Sequence, residues 1–329
     1  MENVLKILKI PFSVFMAVFT ALTSLSVGNN FNIKKPDDVE LTAALISDTH
    51  IRAMLYSRIL LKPGLDDISK HVKPDLFISA GDNVDCGNEQ NWQALGNMFD
   101  KYLSVDRKIL SIGNHDTWVS YDTPHDFEPA KANFIKYAGE IMGEEIDNVY
   151  FTTEVNGYSF IVLGQEEPRT GSTISEEQLL WFEDALAAAA EKSEGKPIFV
   201  INHQPLNFTH AVGDNEHSNG FYSNETSDRI KSLLCEYKNV VYISGHQHYN
   251  LDADGTGEVE NFKTVETLAE GVTLINLPSY EYGTCFTGGQ GLFGQGIVMY
   301  VFADRIELCG RNFFLSNWQK DFDVTIELI

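Results

Sequence analysis

Residues 76–85 read Leu76-Phe77-Ile78-Ser79-Ala80-Gly81-Asp82-Asn83-Val84-Asp85. A short, mostly apolar run gives way to a glycine and two carboxylates. Such a run bounded by a turn signal fits a buried strand. Polar residues placed straight after it stand at the strand's carboxyl end, where open α/β sheets bind ligands. The pattern recurs to either side. Residues 41–47 lead into Asp48-Thr49-His50, and residues 108–112 into Gly113-Asn114-His115-Asp116. Residues 198–202 lead into His203-Gln204-Pro205, and residues 240–244 into Gly245-His246-Gln247-His248. A further apolar run covers residues 158–163.

Helical patterns separate these strands. Trp92, Leu95, Phe99 and Tyr102 recur at helical spacing after Asn88-Glu89. Ser175-Glu176-Glu177-Gln178 reads as a capping box opening a helix through Leu179, Phe182 and Leu186, which Gly195-Lys196-Pro197 ends. The last third differs. Residues 297–302, 306–309 and 324–329 are short strand-like runs with little helix between them, the pattern of antiparallel pairing. The glycine-rich residues 283–296 read as a mobile surface loop. Strand–helix alternation followed by an all-β end predicts an α/β fold with two sheets and flanking helices.

The five clusters supply carboxylates, an amide oxygen and imidazoles, the mixed donor set that holds two divalent transition ions. Such ions polarise a phosphoryl group and activate water near neutral pH. Each motif alone has an ordinary explanation, such as a turn for Gly81 to Asp85 or a solvated pair for His246 and His248. Five in order, each after a strand, carry the signal jointly. Asp48 and His50, two apart in an extended segment, point the same way, as do His246 and His248.

With these motifs the chain resembles the calcineurin-like metallophosphoesterase superfamily over roughly residues 41–311, through the pattern DxH, GDxxD, GNH[DE], a later His and GHxH. The resemblance implies a two-sheet sandwich flanked by helices, an α/β/β/α arrangement. It implies one ion held by Asp48, His50, Asp82 and His248, and a second held by Asp82, Asn114, His203 and His246, with Asp82 bridging. The ions would be Mn, Fe, Zn or similar. His203 is followed by Gln204, where the family often shows a second histidine. The resemblance makes His115 the general acid that protonates the departing alkoxide after attack by a metal-bound hydroxide, with Asp85, or Asp116 beside it in sequence, holding the imidazole. Cys86-Gly87 stands where protein Ser/Thr phosphatases carry a phosphate-gripping arginine, and no tyrosine replaces Asp85 as in purple acid phosphatases. What remains is similar to the bacterial cyclic-nucleotide phosphodiesterase and phosphomonoesterase branch, which makes a small phosphomonoester or cyclic phosphodiester the expected substrate. Arg52 is a candidate for phosphate oxygens. Trp118, Tyr121, Phe221, Tyr222, Tyr280 and Tyr282 are candidates for stacking on a base, and His210 and His217 for lining the substrate mouth. His71 and His125 also fall outside the motifs.

Composition narrows the alternatives. A formal charge of −23 over 329 residues disfavours phosphate-backbone binding, so a nuclease of the same superfamily is the weaker reading and no nucleic-acid partner is expected. A catalytically silent, metal-stabilised cell-surface binding module is the other alternative; such a protein has no use for His115 and Asp85. Lys6 and Lys9 precede an uncharged run at residues 10–27, so residues 1–28 read as a signal peptide or membrane anchor. Residues 29–40 follow as a linker and residues 41–329 as the catalytic domain. The expected location is secreted or membrane-anchored, outside the cytoplasm, with membrane contact only through that first segment. Cys86, Cys235, Cys285 and Cys309 show no CxxC spacing, so neither a zinc knuckle nor a thioredoxin-like pair is indicated.

Overall fold

The computed structural model describes residues 35–123, 126–168, 172–209, 222–252, 262–268, 271–281 and 293–329, with Tyr56 described by its backbone only. The apolar segment at residues 10–27 lies outside these, as do Cys285 and residues 283–292 of the glycine-rich stretch. Within the described residues no helix is long and apolar enough to cross a membrane.

Two six-stranded sheets form the centre. The first contains β1 (Leu41–Ile46), β2 (Leu76–Ser79), β3 (Arg107–Leu110), β10 (Gln295–Val301), β11 (Arg305–Asn312) and β12 (Asn317–Glu327), in the order β12-β11-β10-β1-β2-β3. β1, β2 and β3 run parallel, whereas β10, β11 and β12 add antiparallel on the other side of β1. The second contains β4 (Phe151–Val155), β5 (Tyr158–Val162), β6 (Ile198–Ile201), β7 (Val240–Ser244), β8 (Val265–Thr267) and β9 (Val272–Asn276), in the order β4-β5-β6-β7-β9-β8. Its four central strands are parallel and its edges antiparallel. The expected two-sheet α/β sandwich is the fold observed.

Strand alternation divides the core. Phe160, Val162, Phe199, Ile201, Val241 and Ile243 point into one apolar body shared with the first sheet. Their neighbours Ile161, Ile198, Val200, Val240 and Tyr242 point the other way, into a second body. That period of two follows from the pleat. Helices cover the outside: α1 (Leu55–Asp67), α2 (Glu89–Tyr102), α3 (Phe127–Met142), α4 (Glu176–Ser193) and α5 (Asn224–Leu234). α3 packs on α2 and β3, and α4 on β5 and β6.

The helix starts show where local chemistry holds. Asn88 accepts from Asn91 N at 2.9 Å and opens α2. Ser175 Oγ accepts from Gln178 N at 3.1 Å, as a cap should. The second half of the expected capping box is absent. Gln178 instead spans the Gly164 backbone, accepting from its N–H at 2.9 Å and donating to its carbonyl at 2.8 Å. Glu166 takes over, accepting from Ser175 N at 2.6 Å.

Other elements had no clear sequence pattern. α1 contains Pro63, which normally breaks a helix, and continues into a π-helical turn at Ile68–Val72. The carbonyl Pro63 leaves without a helical partner belongs to Ile59, an exposed residue. Gly64 in the same helix is required by packing. A Cβ there would stand 2.0 Å from the hydroxyl of Tyr280, which donates to Leu60 O at 3.2 Å. Gln295 and Gly296, read as loop, begin β10.

At residues 35–40, Lys35 pairs with Asp75 at 2.9 Å and Glu40 N donates to Val301 O at 2.8 Å. A fully buried ion pair ties α1 to the first sheet. Arg311 on β11 donates to both Asp67 oxygens, at 2.6 and 2.7 Å, and its guanidinium lies 4.7 Å from the Trp318 ring centre. Removing one partner of such a pair strands a buried charge at a loss of about 3–5 kcal/mol. Arg311→Met should therefore lower unfolding stability by about that much in urea titration; a loss below about 1 kcal/mol would contradict the pair's role.

Candidate metal centre

The loops that follow β1, β2, β3, β6 and β7 meet at one edge of the sandwich. Backbone hydrogen bonds continue the sheet pairing past the strand ends: Asp48 N to Gly81 O at 3.1 Å, His50 N to Asp82 O at 3.0 Å and Ile51 N to Asn83 O at 3.1 Å. Gly245 N reaches His203 O at 2.8 Å. Asp48 (φ 56°), His50 (φ 42°), Asp82 (φ 48°), His246 (φ 74°) and His248 (φ 57°) all adopt the left-handed conformation. The sequence expectation that extended, alternating backbone aims Asp48 with His50, and His246 with His248, is thus corrected. The side chains converge because the chain turns at each of them, at roughly 1 kcal/mol or more apiece.

Three donor groups result among the described residues, one of them formed by His50, Asp85 and His115, and the other two overlap at Asp82. Donor atoms of Asp48, His50, Asp82 and His248 lie within 4.8 Å of one another, and so do those of Asp82, His203 and His246. Asp82 belongs to both. Its Oδ1 accepts the backbone N–H of His115 at 2.7 Å, while Oδ2 lies 3.2 Å from His203 Nε2 and 3.9 Å from His50 Nε2. Asp48 Oδ1 is 2.9 Å from His248 Nε2, and its Oδ2 accepts His246 N at 3.1 Å. His203 Nδ1 stands 2.8 Å from the Ala80 carbonyl, which can only accept, so Nδ1 carries a proton and Nε2 faces Asp82. Gly81 makes this approach possible, since a Cβ there would fall 2.5 Å from His203 Nδ1. The buried Asn114 Oδ1 has no hydrogen-bond partner, although the adjacent His115 N binds Asp82. A buried amide oxygen left in this state, one residue before the N–H that binds Asp82, fits a ligand set for a divalent ion.

Charge is balanced internally. Burial works to raise Asp48, but the charges of His248 and His203 hold it well below the usual carboxylate range. Asp82 is likewise held far down against burial, by His203 and His115. Burial opposes protonation of His203, yet Asp82 and Asp48 lift it to about 9. His248 is raised too, against burial and through Asp48. Burial drives His246 down to about 3, with the His203 charge adding, and His50 well below its ordinary value. The carboxylates and the imidazoles of His203 and His248 thus favour one another's charged forms.

His115 sits beside the cluster, its ring centre 4.5 Å from that of His50. Its Nδ1 lies 3.0 Å from the backbone carbonyl of Asp85 and 3.8 Å from that residue's carboxylate. Asp85 thus holds the ring by its main chain. Its Oδ1 accepts from Arg52 at 2.8 Å and from the Tyr121 hydroxyl at 2.9 Å. Asp116 does not serve His115. It is buried and accepts from the backbone of Gly113 at 2.9 Å, Asn83 at 3.2 Å and Val84 at 2.9 Å, stitching two loops together. Burial, with the Asp82 charge, pushes it up to about 7.

Arg52 is engaged by a second carboxylate, Glu281 Oε1, at 2.7 Å. No motif marks Glu281. It arrives on a sixth loop, after β9, fixed by Tyr280 N to Ser47 O at 2.8 Å and Glu281 N to Asp48 O at 3.1 Å. Burial pushes its carboxyl up to about 7 against the pull of Arg52.

Gln204 donates to Gln165 at 2.7 Å, and its carbonyl accepts from Tyr242 at 2.9 Å, so it braces the His203 loop from behind. Tyr222 and Tyr280 are buried in packing roles, whereas Trp118 and Tyr121 stand near His115. His71 lies in the π-helical turn after α1. His125, His210, His217, Phe221 and Tyr282 lie outside the described residues.

A family model described as calcineurin-like phosphoesterase matches residues 41–250. A Moraxella catarrhalis protein described as a probable cyclic nucleotide phosphodiesterase is 22% identical over 269 residues, covering 75% of this chain and 88% of its own length. Among solved structures, the yellow lupin purple acid phosphatase PPD1 aligns over 87% of this chain with a TM-score of 0.58 and 14% identity. This chain spans about half (53%) of the lupin chain. Plasmodium GAP50, titled the anchor in the inner membrane complex, aligns over 88% of this chain and 89% of its own, with a TM-score of 0.55 and 14% identity. Both structures share the fold.

The raised histidines set a pH dependence. In the metal-free protein the pairing of His203 with Asp82 and Asp48 stabilises fully below the ordinary histidine value of about 6.5. It is lost as pH rises through about 9. Ligands must be deprotonated to bind metal, so metal stabilisation should grow over that same window. The melting-temperature difference between Mn²⁺-loaded and chelator-treated protein is expected to widen from about pH 6.5 to 9; a pH-independent difference would exclude these imidazoles as ligands.

Proposed function

This chain belongs to the calcineurin-like phosphoesterase family, and we propose that it is a dinuclear-metal hydrolase of a small phosphomonoester or cyclic phosphodiester. The observation that carries the reading is Asp82, shared by two donor groups, with the buried, partnerless Asn114 Oδ1 on the loop that Asp82 holds through His115 N. Asp48, His50, Asp82 and His248 would hold one divalent ion and Asp82, Asn114, His203 and His246 the other. Mn, Fe or Zn suit this mix of imidazole, carboxylate and amide. When bound, such ions supply Lewis acidity toward phosphoryl oxygens and lower the pKa of water.

The chain's own residues do the rest. His115, outside both ligand sets, presents Nε2 because Nδ1 is turned to the Asp85 carbonyl at 3.0 Å. From there it donates the proton that a departing alkoxide needs. Asp82 Oδ1 holds the His115 backbone at 2.7 Å, which couples the acid's position to the bridging carboxylate. Arg52 holds Asp85 at 2.8 Å with its side chain 32% exposed, in reach of an anionic substrate. The relative described as a probable cyclic nucleotide phosphodiesterase supports a cyclic nucleotide among the substrates. The charge of −23 supports a small ester over a polynucleotide.

His115→Ala tests the assignment. Esters with alkoxide leaving groups should lose about 10²–10⁴ in rate, and aryl phosphates, whose phenolates leave unaided, far less. Equal losses on both, at unchanged metal content, would overturn the role of His115.

We also propose that the protein acts outside the cytoplasm. Lys6 and Lys9 ahead of the uncharged residues 10–27 support it. After expression in a bacterial host, the protein is expected in the periplasmic or membrane fraction, cleaved near Ser26 or retained at the membrane. A soluble cytosolic product keeping Met1 would refute this.

A further inference from the structure

Two aromatic rings beside His115 have no part in the chemistry above. The Trp118 ring centre lies 4.9 Å from that of His115, Tyr121 lies 6.4 Å from it, and the two aromatics are 6.2 Å apart. Tyr121 is 60% exposed, unlike Tyr222 and Tyr280, whose rings are buried and explained by packing. Its exposure does not leave it loose. The hydroxyl donates to Asp85 Oδ1 at 2.9 Å, on the same oxygen that Arg52 holds at 2.8 Å. An exposed ring tethered at its far end is preorganised, so little conformational freedom is lost when something lies against it.

Position gives the ring a purpose. His115 hands its proton to the leaving oxygen, so whatever is attached to that oxygen must sit next to His115. The donor cluster occupies one neighbourhood of the imidazole, with His50 at 4.5 Å. Trp118 and Tyr121 occupy another, and Tyr121 carries it out to solvent. The Tyr121 hydroxyl also stands 3.5 Å from His115 Nδ1, so the rings flank the imidazole on its Asp85 side, and a leaving group that reaches past the imidazole lies along them. Aromatic faces favour flat π-systems of any identity, because every base or aryl ring has a face to stack.

We propose that Trp118 and Tyr121 form a leaving-group subsite that takes a planar aromatic moiety, a nucleobase or an aryl ring, with Tyr121 as the residue that determines this specificity. The proposal rests on the phosphoesterase reading and on His115 as its acid.

Binding of hydrolysis-resistant phosphonates to the Mn²⁺-loaded full chain tests it without turnover. The phosphonate analogues of AMP and of ribose phosphate differ only by the base. Wild type should bind the first about tenfold tighter, the 1.4 kcal/mol expected of one stacked ring. Tyr121→Phe keeps the ring and should keep the preference. Tyr121→Ala should abolish it while binding the ribose analogue and Mn²⁺ as wild type does. Benzylphosphonate against propylphosphonate gives the aryl arm: a preference in both pairs marks a general ring subsite, and one in the nucleotide pair alone marks a nucleoside site. If the ribose analogue binds but the ring adds nothing, or if Tyr121→Ala keeps the preference, the subsite is overturned alone. If no phosphonate binds the metal-loaded protein, the phosphoesterase reading falls with it.

Discussion

Everything at the functional edge answers to one electrostatic constraint: Asp48 and Asp82 are almost wholly withdrawn from water within a few ångströms of each other. An unpaired carboxylate in such a place would take up a proton. These two stay ionised because imidazoles press on them from the second sheet, His203 at 3.2 Å from Asp82 and His248 at 2.9 Å from Asp48. The carboxylates come from loops of the first sheet and those imidazoles from loops of the second. The centre is therefore also a joint between the sheets, and removing charge from one side leaves the other without compensation.

Meeting that constraint strains the backbone. Five residues of the cluster hold left-handed φ values that side chains bearing a Cβ disfavour. The strain is tolerated because the surroundings over-determine it. Strand-like hydrogen bonds run on past β1 and β2, and the buried Asp116 carboxylate collects N–H groups from Gly113, Asn83 and Val84. Behind His203, the Tyr222 and Tyr242 hydroxyls bond each other at 2.9 Å, and Tyr242 also accepts from the Asn202 amide and donates to the Gln204 main-chain carbonyl. A site held this way meets its ligands with little reorganisation left to do.

Around the strained centre the rim is built from paired charges. Arg52 bridges Asp85 and Glu281, Asp85 steadies both His115 and Tyr121, and Tyr280 pins the Glu281 loop to α1 through a hydroxyl that only Gly64 leaves room for. Cation and aromatic ring thus share the Asp85 carboxylate, while the main-chain carbonyl of the same residue holds the acid.

The amino-acid order alone determined the strand-ended clusters, the donor types and the family pattern, and with them the α/β class. Those signals are local: an apolar run, a glycine, then His, Asp or Asn at fixed spacing. The residues grouped by motif as Asp48, His50, Asp82 and His248 are the ones that come within 4.8 Å in space. Tertiary structure decided what depends on partners far away in sequence. Gln178 looked like half a capping box but bonds Gly164, and Asp116 looked like a partner for His115 but joins loops instead. α1 was obscured by Pro63, β8 by its three-residue length, and β9 by the lack of a following motif. Glu281 carries no signature because its role exists only once β9 lies beside β7 and brings Arg52 within 2.7 Å. Local spacing names the chemistry; which oxygen faces which nitrogen is settled by the packing of two sheets, where a shift of an ångström changes both charge and partner.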